Sequence, residues 1–137
     1  MSGNKGEKRE KIPTTPQNIP PDVAECLCQN GGVEGLLDLV MSPEMILKNT
    51  EIFKALSDPF RVKILSLLSI QPLCVCIIRE FLDISDTRLS YHLKKLNNSG
   101  LISGNPQGNW IIYKITERGS LALSLCFDHQ EIEDMSD

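Results

Sequence analysis

Two pairs of cysteines carry the most distinctive chemistry in this 137-residue chain: Cys26 with Cys28 and Cys74 with Cys76, each at C-x-C spacing. Thiolates are soft ligands suited to Cd, Pb, Zn, As(III) or Cu(I), and two pairs could supply a four-sulfur shell. Cys74, Cys76 and one cysteine of the other pair would equally make a trigonal site for As(III), Pb or Bi. The same spacing suits a thiol/disulfide switch. The plain alternative is that cysteines in a run such as LCVCII are small buried hydrophobes. Residues two apart on a regular helix point roughly 200° from one another, so Cys74 and Cys76 can share one ion only before the first helical turn or on a distorted one. The fifth cysteine, Cys126, reads as a packing residue of the terminal helix. An odd count, with both pairs this closely spaced, argues against an ordinary structural disulfide framework; in a reducing compartment such pairs are more often metal ligands or redox sensors.

The second chemistry-bearing group lies in residues 87–95. Leu89, Leu93 and Leu96 recur at helical spacing and make one apolar face. Thr87, Arg88, Ser90, Tyr91, His92, Lys94 and Lys95 are left to point outward, and these side chains can reach base edges and phosphates. Ser85 or Asp86 offers an N-cap, Gly100 an αL stop, and the lysines lie where the macrodipole favours cations. With the apolar, cysteine-bearing run that begins at Leu73 and the break over 83–86, the stretch 73–100 reads as two short helices and a tight turn. That is a helix-turn-helix whose second helix recognises double-stranded DNA.

The flanking elements must position this unit. Residues 1–20 are polar, charged and Pro-rich and read as a disordered arm. Residues 21–41 hold two short helical pieces, PDVAECLC and VEGLLDLV, separated by a Gly-rich turn, and bear Cys26 and Cys28. Ser42-Pro43 and Asp58-Pro59 are helix starts, opening a helix to about Leu56 and a second, FRVKILSLL, too apolar to be exposed. After Gly100 the pattern changes to period two. Leu101 to Gly104 and Trp110 to Thr116 are strand candidates, with Ile111, Tyr113 and Ile115 on one face and a tip of Asn105, Pro106, Gln107, Gly108 and Asn109. The fold class is mainly α with a small β-hairpin, a winged helix-turn-helix over residues 42–127. A terminal helix with Leu121, Ala122, Leu125 and Cys126 along one stripe serves a homodimer or packs on its own core. Residues 128–137 form an acidic tail.

The formal net charge of −4 argues against a simple nucleic-acid binder, but its distribution reverses that: the nets are −2 over 1–49, +3 over 50–116 and −5 over 117–137. Local field governs phosphate contact when the Debye length is about 8 Å. No apolar run approaches the roughly 18–20 residues of a spanning helix, so the expectation is a cytoplasmic protein with no membrane partner. Enzyme activity has least support, since there is no phosphate-binding Gly-rich loop, nucleophile elbow or His/carboxylate set.

These residues resemble the ArsR/SmtB family of winged-helix repressors, over about 52–116 and the terminal helix in outline. FKALSDPFRVKILSLL, LCVC, SYHLKKLNNSGLI and GNWIIYKI carry the likeness, with Ser90 to Leu93 and Leu73 to Cys76 its most diagnostic parts. The resemblance implies a dimer on an inverted-repeat operator, released when a metal or metalloid binds. Cys26 and Cys28 resemble in placement the arm cysteines of the cadmium- and lead-sensing CadC subgroup, where the arm of one subunit reaches the cysteine box of the other. Asp128, His129 and Glu131 are similar to a zinc site that joins terminal helices in some members, but that site needs two histidines per helix and this chain has one there. Two departures stand out: Ile77 follows the second cysteine where the family usually has an acid, and the wing tip carries neutral amides in place of Arg or Lys. The competing functions are a redox-sensing DNA-binding regulator and a winged-helix protein-interaction module.

Overall fold

A computed structural model of the chain describes residues 12–125. The expectations for most of the N-terminal arm, for Cys126, Asp128, His129 and Glu131, and for the acidic tail lie outside these residues. The chain forms two compact units that divide between Pro43 and Glu44. In the first, α1 (Pro21–Gln29) and α2 (Gly32–Leu39) are joined through Gly31 and Gly32 at φ 81° and 76°, left-handed angles that glycine adopts without steric cost. Neither helix buries any residue fully.

The second unit runs α3 (Pro43–Leu56), α4 (Pro59–Ile70), β1 (Leu73–Cys74), α5 (Val75–Glu80), α6 (Asp86–Asn98), β2 (Ile102–Gln107), β3 (Trp110–Ile115) and α7 (Glu117–Leu123). The caps explain the starts. Asp58 accepts from Phe60 N at 2.9 Å and Arg61 N at 3.2 Å, with Pro59 inside the first turn of α4. Ser85, rather than Asp86, caps α6 by accepting from Arg88 N at 3.2 Å. Thr116 caps α7 through Gly119 N at 3.0 Å. Gly100, at φ 75°, turns the chain from α6 toward β2.

One core holds the unit together. Ile64, Leu65 and Leu68 of α4 meet Ile78 of α5, Leu82, Leu89, Leu93 and Leu96 of α6, and Leu101 and Ile102 at the start of the wing. The apolar face read from the leucine spacing of α6 is the buried one.

The sheet departs from the expected hairpin. It has three antiparallel strands in the order β1-β3-β2, because Leu73 and Cys74 pair with Tyr113 and Ile112. Two residues are too few to show an alternating pattern, and their pairing is made across nearly forty positions of chain. The wing is also longer than read. Asn105, Pro106 and Gln107 lie in β2, and the turn is Gly108-Asn109 between the paired residues Gln107 and Trp110. β2 is an edge strand, where a proline is tolerated. The terminal helix splits the stripe expected of it: Ala122 is buried, whereas Leu121 and Leu125 are 64% and 65% exposed. Among the described residues no helix is long and apolar enough to cross a membrane.

The α7 junction is the tightest packing in the unit. Thr116 Oγ1 donates to Gly100 O at 2.6 Å, Thr116 N donates to Leu101 O at 3.1 Å, and a Cβ on Gly119 would collide with Leu101 O. Gly119→Ala should therefore destabilise the protein by about 2–3 kcal/mol in urea unfolding, as overpacking against backbone does. Gly104→Ala, whose Cβ meets side chains of Tyr113 and Ile111 that can move, should cost less. The reverse order would contradict this packing.

Candidate nucleic-acid interface and cysteine pair

Helix α6 divides along its length into a buried and an exposed face. With Leu89, Leu93 and Leu96 inward, Thr87, Arg88, Ser90, Tyr91, Lys94 and Lys95 are all exposed. At 100° per residue, Thr87, Ser90, Tyr91 and Lys94 centre on the side opposite the leucines, and Arg88 and Lys95 flank them. The flanking cations are held by aromatic rings: Arg88 Cζ lies 5.2 Å from the centroid of Phe60 and Lys95 Nζ 5.6 Å from that of Tyr91. Such contacts fix the direction of a long side chain that would otherwise sample many rotamers.

His92 corrects the sequence reading. Expected to point outward with its neighbours, it is 4% exposed and faces the N-terminal end of α4. Its Nδ1 lies 3.2 Å from Arg61 Nη1 and 3.9 Å from Asp58 Oδ1, and its ring is 5.7 Å from Phe60. The reason is angular: position 92 lies one turn before Leu96 and three residues after Leu89, on the flank of the apolar stripe. Asp58 and Phe60 cover that flank. Burial lowers the His92 pKa from 6.5; the Asp58 carboxylate opposes this, and Arg61 and Arg88 add to it.

The Arg61 guanidinium uses several donors at once: Nε donates to Ala55 O at 2.7 Å, Nη2 to Lys54 O at 3.2 Å and Nη1 toward His92. The first two bonds tie the guanidinium to carbonyls at the end of α3; Lys54 O also accepts from Ser57 N at 3.3 Å and Ser57 Oγ at 3.0 Å. Sequence reasoning missed Arg61; the available signal was a cation in the first turn of a helix otherwise too apolar to face water. It also missed Arg79, whose Nε lies 2.8 Å from Asp86 Oδ1 and ties α5 to the first turn of α6. Both partners of that pair are largely exposed, so its contribution to stability is small.

Cys74 and Cys76 are brought together. Cys74 is extended, at φ −79° and ψ 160°, and is both the second residue of β1 and the N-cap of α5; Cys76 lies in the first turn. Their Cα atoms are 5.4 Å apart and their sulfurs are joined as a disulfide. Because Cys74 precedes the helix, the divergence of a regular i, i+2 pair does not apply. Cys74 also pairs with Ile112, which pairs with Asn105, so its side chain shares the outer face of the sheet with the wing.

Cys26 and Cys28 differ in just this respect. Both are free, exposed and inside α1, so they point roughly 200° apart while that helix is intact. Within each unit, no group of three or more His, Cys, Asp and Glu side chains converges among the described residues.

Comparison with known proteins accords with this arrangement. The family model described as "Bacterial regulatory protein, arsR family" matches residues 58–103, the span from the α4 cap to the start of the wing. An arsenical resistance operon repressor of Bacillus subtilis (strain 168) is 34% identical over 87 residues, covering 61% of this chain and 83% of the relative. A cadmium resistance transcriptional regulatory protein, a CadC homolog of Staphylococcus aureus, is 37% identical over 68 residues, 49% of this chain and 56% of its own. The solution structure of a homodimeric winged helix-turn-helix DNA-binding domain from Mycobacterium bovis superposes with a TM-score of 0.58 at 24% identity, covering 71% of this chain and 91% of that one. Family model, relatives and fold converge: this chain belongs to the ArsR family of bacterial regulatory proteins, DNA-binding transcriptional repressors built on a winged helix-turn-helix.

Proposed function

We propose that this protein is a repressor that binds its operator as a homodimer and is released when a soft metal or metalloid ion engages the thiolates of Cys74 and Cys76. The observation that carries this reading is the position of Cys74, which is at once the N-cap of α5 and a paired residue of the wing sheet. Relatives named for arsenical and cadmium resistance support an effector of this class.

In the DNA-bound state α6 lies in the major groove, with Thr87, Ser90 and Tyr91 toward base edges and Arg88, Lys94 and Lys95 toward phosphates. The basic surplus of residues 50–116 supplies the field. Two copies join through the outward Leu121 of α7 and Leu125 just beyond its end, and present their α6 helices to half-sites about 34 Å apart. The homodimeric neighbour from Mycobacterium bovis supports this assembly.

The cysteine pair in its reduced form fits a thiophilic ion, since an extended residue and a first-turn residue bring both sulfurs to one place. Such an ion, when bound, supplies strong bonds to both thiolates and favours the backbone geometry that suits them. The chain's own residues do the rest. A changed angle at Cys74 acts on Ile112 through the β1–β3 pairing, and on α6 through Ile78 in the core and the Arg79–Asp86 pair. DNA and effector then favour different states, and each weakens the other by the same factor. Cys26 or Cys28, of the same or the partner subunit, is the proposed source of a third thiolate, but not both while α1 is helical.

A second reading is favoured by one observation, the Cys74–Cys76 disulfide. Here the two thiols lose two electrons and two protons to an oxidant such as peroxide, which is reduced to water, and the S–S bond replaces the ion as the release signal.

Reduced protein titrated with Cd, Pb, Zn, As(III) and Cu(I) should give thiolate charge-transfer absorbance and DNA release together with at least one of them. Cys74→Ser should bind DNA as wild type does and no longer be released; metal-induced release by Cys74→Ser would refute the assignment. Peroxide-driven release, reversed by reductant and with no metal response, would establish the redox reading instead. Trp110, the single tryptophan, is 62% exposed at the wing, and its emission should change with the same midpoint as DNA release. On the DNA side, Lys94→Ala and Arg88→Ala should each weaken binding across all sequences and lower the salt slope by about one. An unchanged slope in both would remove those phosphate contacts.

A further inference from the structure

The buried histidine of α6 has an orphan nitrogen. Arginine can only donate, so the contact between Arg61 Nη1 and His92 Nδ1 at 3.2 Å requires Nδ1 to be an acceptor. The ring proton is then on Nε2, which is buried and has no hydrogen-bond partner among the described residues. Such a ring is neutral. A protonated ring would place an N–H against the guanidinium, with the Asp58 Oδ1 acceptor 3.9 Å from Nδ1. That oxygen already accepts from Phe60 N and Arg61 N as the cap of α4. Protonation must therefore break the Arg61 contact or draw Asp58 from its helix.

We propose that His92 is a positioning residue for DNA recognition: neutral and accepting from Arg61, it sets where α6 stands on α4 and on the end of α3, and its protonation releases the protein from DNA. The route runs from Lys54 O and Ala55 O through the guanidinium to the imidazole. In sequence the buried His92 is interleaved with the outward residues, one place after Tyr91 and four after Arg88. Every charged or titratable group that acts on the ring tells in one direction or the other. Asp58 on α4 favours the cation; Arg61 on α4 and Arg88 on α6 disfavour it. Tyr91 on α6 packs edge-on at 5.5 Å and carries Lys95 on its ring.

The sign follows from burial. The folded-state pKa is depressed below 6.5, the unfolded value, so the folded chain binds fewer protons below that pH. The stability contributed by neutral His92 is complete above the unfolded value and is lost as pH falls through the folded one. DNA affinity should fall over the same acid limb with no effector present. The proposal is thus independent of the effector.

The test uses reduced full-length protein without added metal and a duplex selected from a random-sequence pool by wild type at about pH 8. Anisotropy titrations at fixed ionic strength down to about pH 5 should show the wild-type dimer, with one His92 in each protomer, losing up to about a hundredfold in affinity per pH unit below the His92 pKa. His92→Asn places an oxygen acceptor close to Nδ1 and cannot titrate. Relative to its own affinity at pH 8 it should lose that acid limb, because an amide oxygen can accept from Arg61 and does not titrate. Asp58→Asn keeps a capping oxygen but removes the charge that favours the cation, so its midpoint should move to lower pH. Arg61→Met should bind more weakly at every pH. Parallel acid limbs for wild type and His92→Asn, a flat wild-type profile, or wild-type affinity in Arg61→Met would each overturn the proposal. If His92→Asn fails to fold, the direction of the Asp58→Asn shift decides.

Discussion

The backbone pairing of Leu73 and Cys74 with Tyr113 and Ile112 is the constraint on which the working parts of this repressor depend. It is only two residues long, yet it fastens the start of the positioning helix to the wing. Leu73 faces the core and is buried, and Ile78 one turn into α5 is fully buried, so the segment is anchored from both sides of Cys74. A short ladder of this kind contributes little by itself. Its force comes from the apolar residues at either end, which make it costly to slide or peel. The cysteine between those anchors is therefore a place where a small change in backbone angle must appear elsewhere.

The helices were legible because each carries its own local punctuation. Ser42-Pro43, Asp58-Pro59 and Ser85 mark starts, Gly100 marks a stop, and Leu89, Leu93 and Leu96 mark the face that turns inward. These signals act over three or four residues, which is the range at which sequence patterns report physical preference. The α6 cap, open between Ser85 and Asp86, is decided by one bond to Arg88 N. What was not legible depends on distant partners. β1 exists because β3 lies beside it. Pro106 reads as a turn residue and is a strand residue, because its strand is on the edge. His92 looked like one more polar side chain on a polar face, and only the approach of Asp58, Phe60 and Arg61 from another helix makes it a buried one.

The candidate site divides the same way. The outward residues Thr87, Arg88, Ser90, Tyr91, Lys94 and Lys95 follow from helical angle alone once the leucine face is known. Which of the cations are held in place does not: Arg88 needs Phe60 and Lys95 needs Tyr91, and the first of these is a tertiary contact. Net charge misled for a related reason. The acidic surplus lies in the segments flanking the helix-turn-helix, and a total over the chain averages away the local field that a phosphate meets.

The two cysteine pairs show most clearly how backbone context decides chemistry. Their spacing is identical, and from spacing alone either could be a pair of ligands to one ion. In α1 the regular helix sends Cys26 and Cys28 to different sides, and α1 buries no residue fully, so the arrangement could change at modest cost. At Cys74 the chain is extended, because its pairing with Ile112 in the sheet holds it so until α5 begins, and the two sulfurs meet. A convergent pair in an anchored segment can act as a sensor: ligation or oxidation there works against a fixed core. A divergent pair on a lightly packed helix suits the proposed role of supplier, bringing one thiolate to a site built elsewhere. The proposed division of labour between box and arm follows from that difference in backbone, since the cysteines themselves are the same.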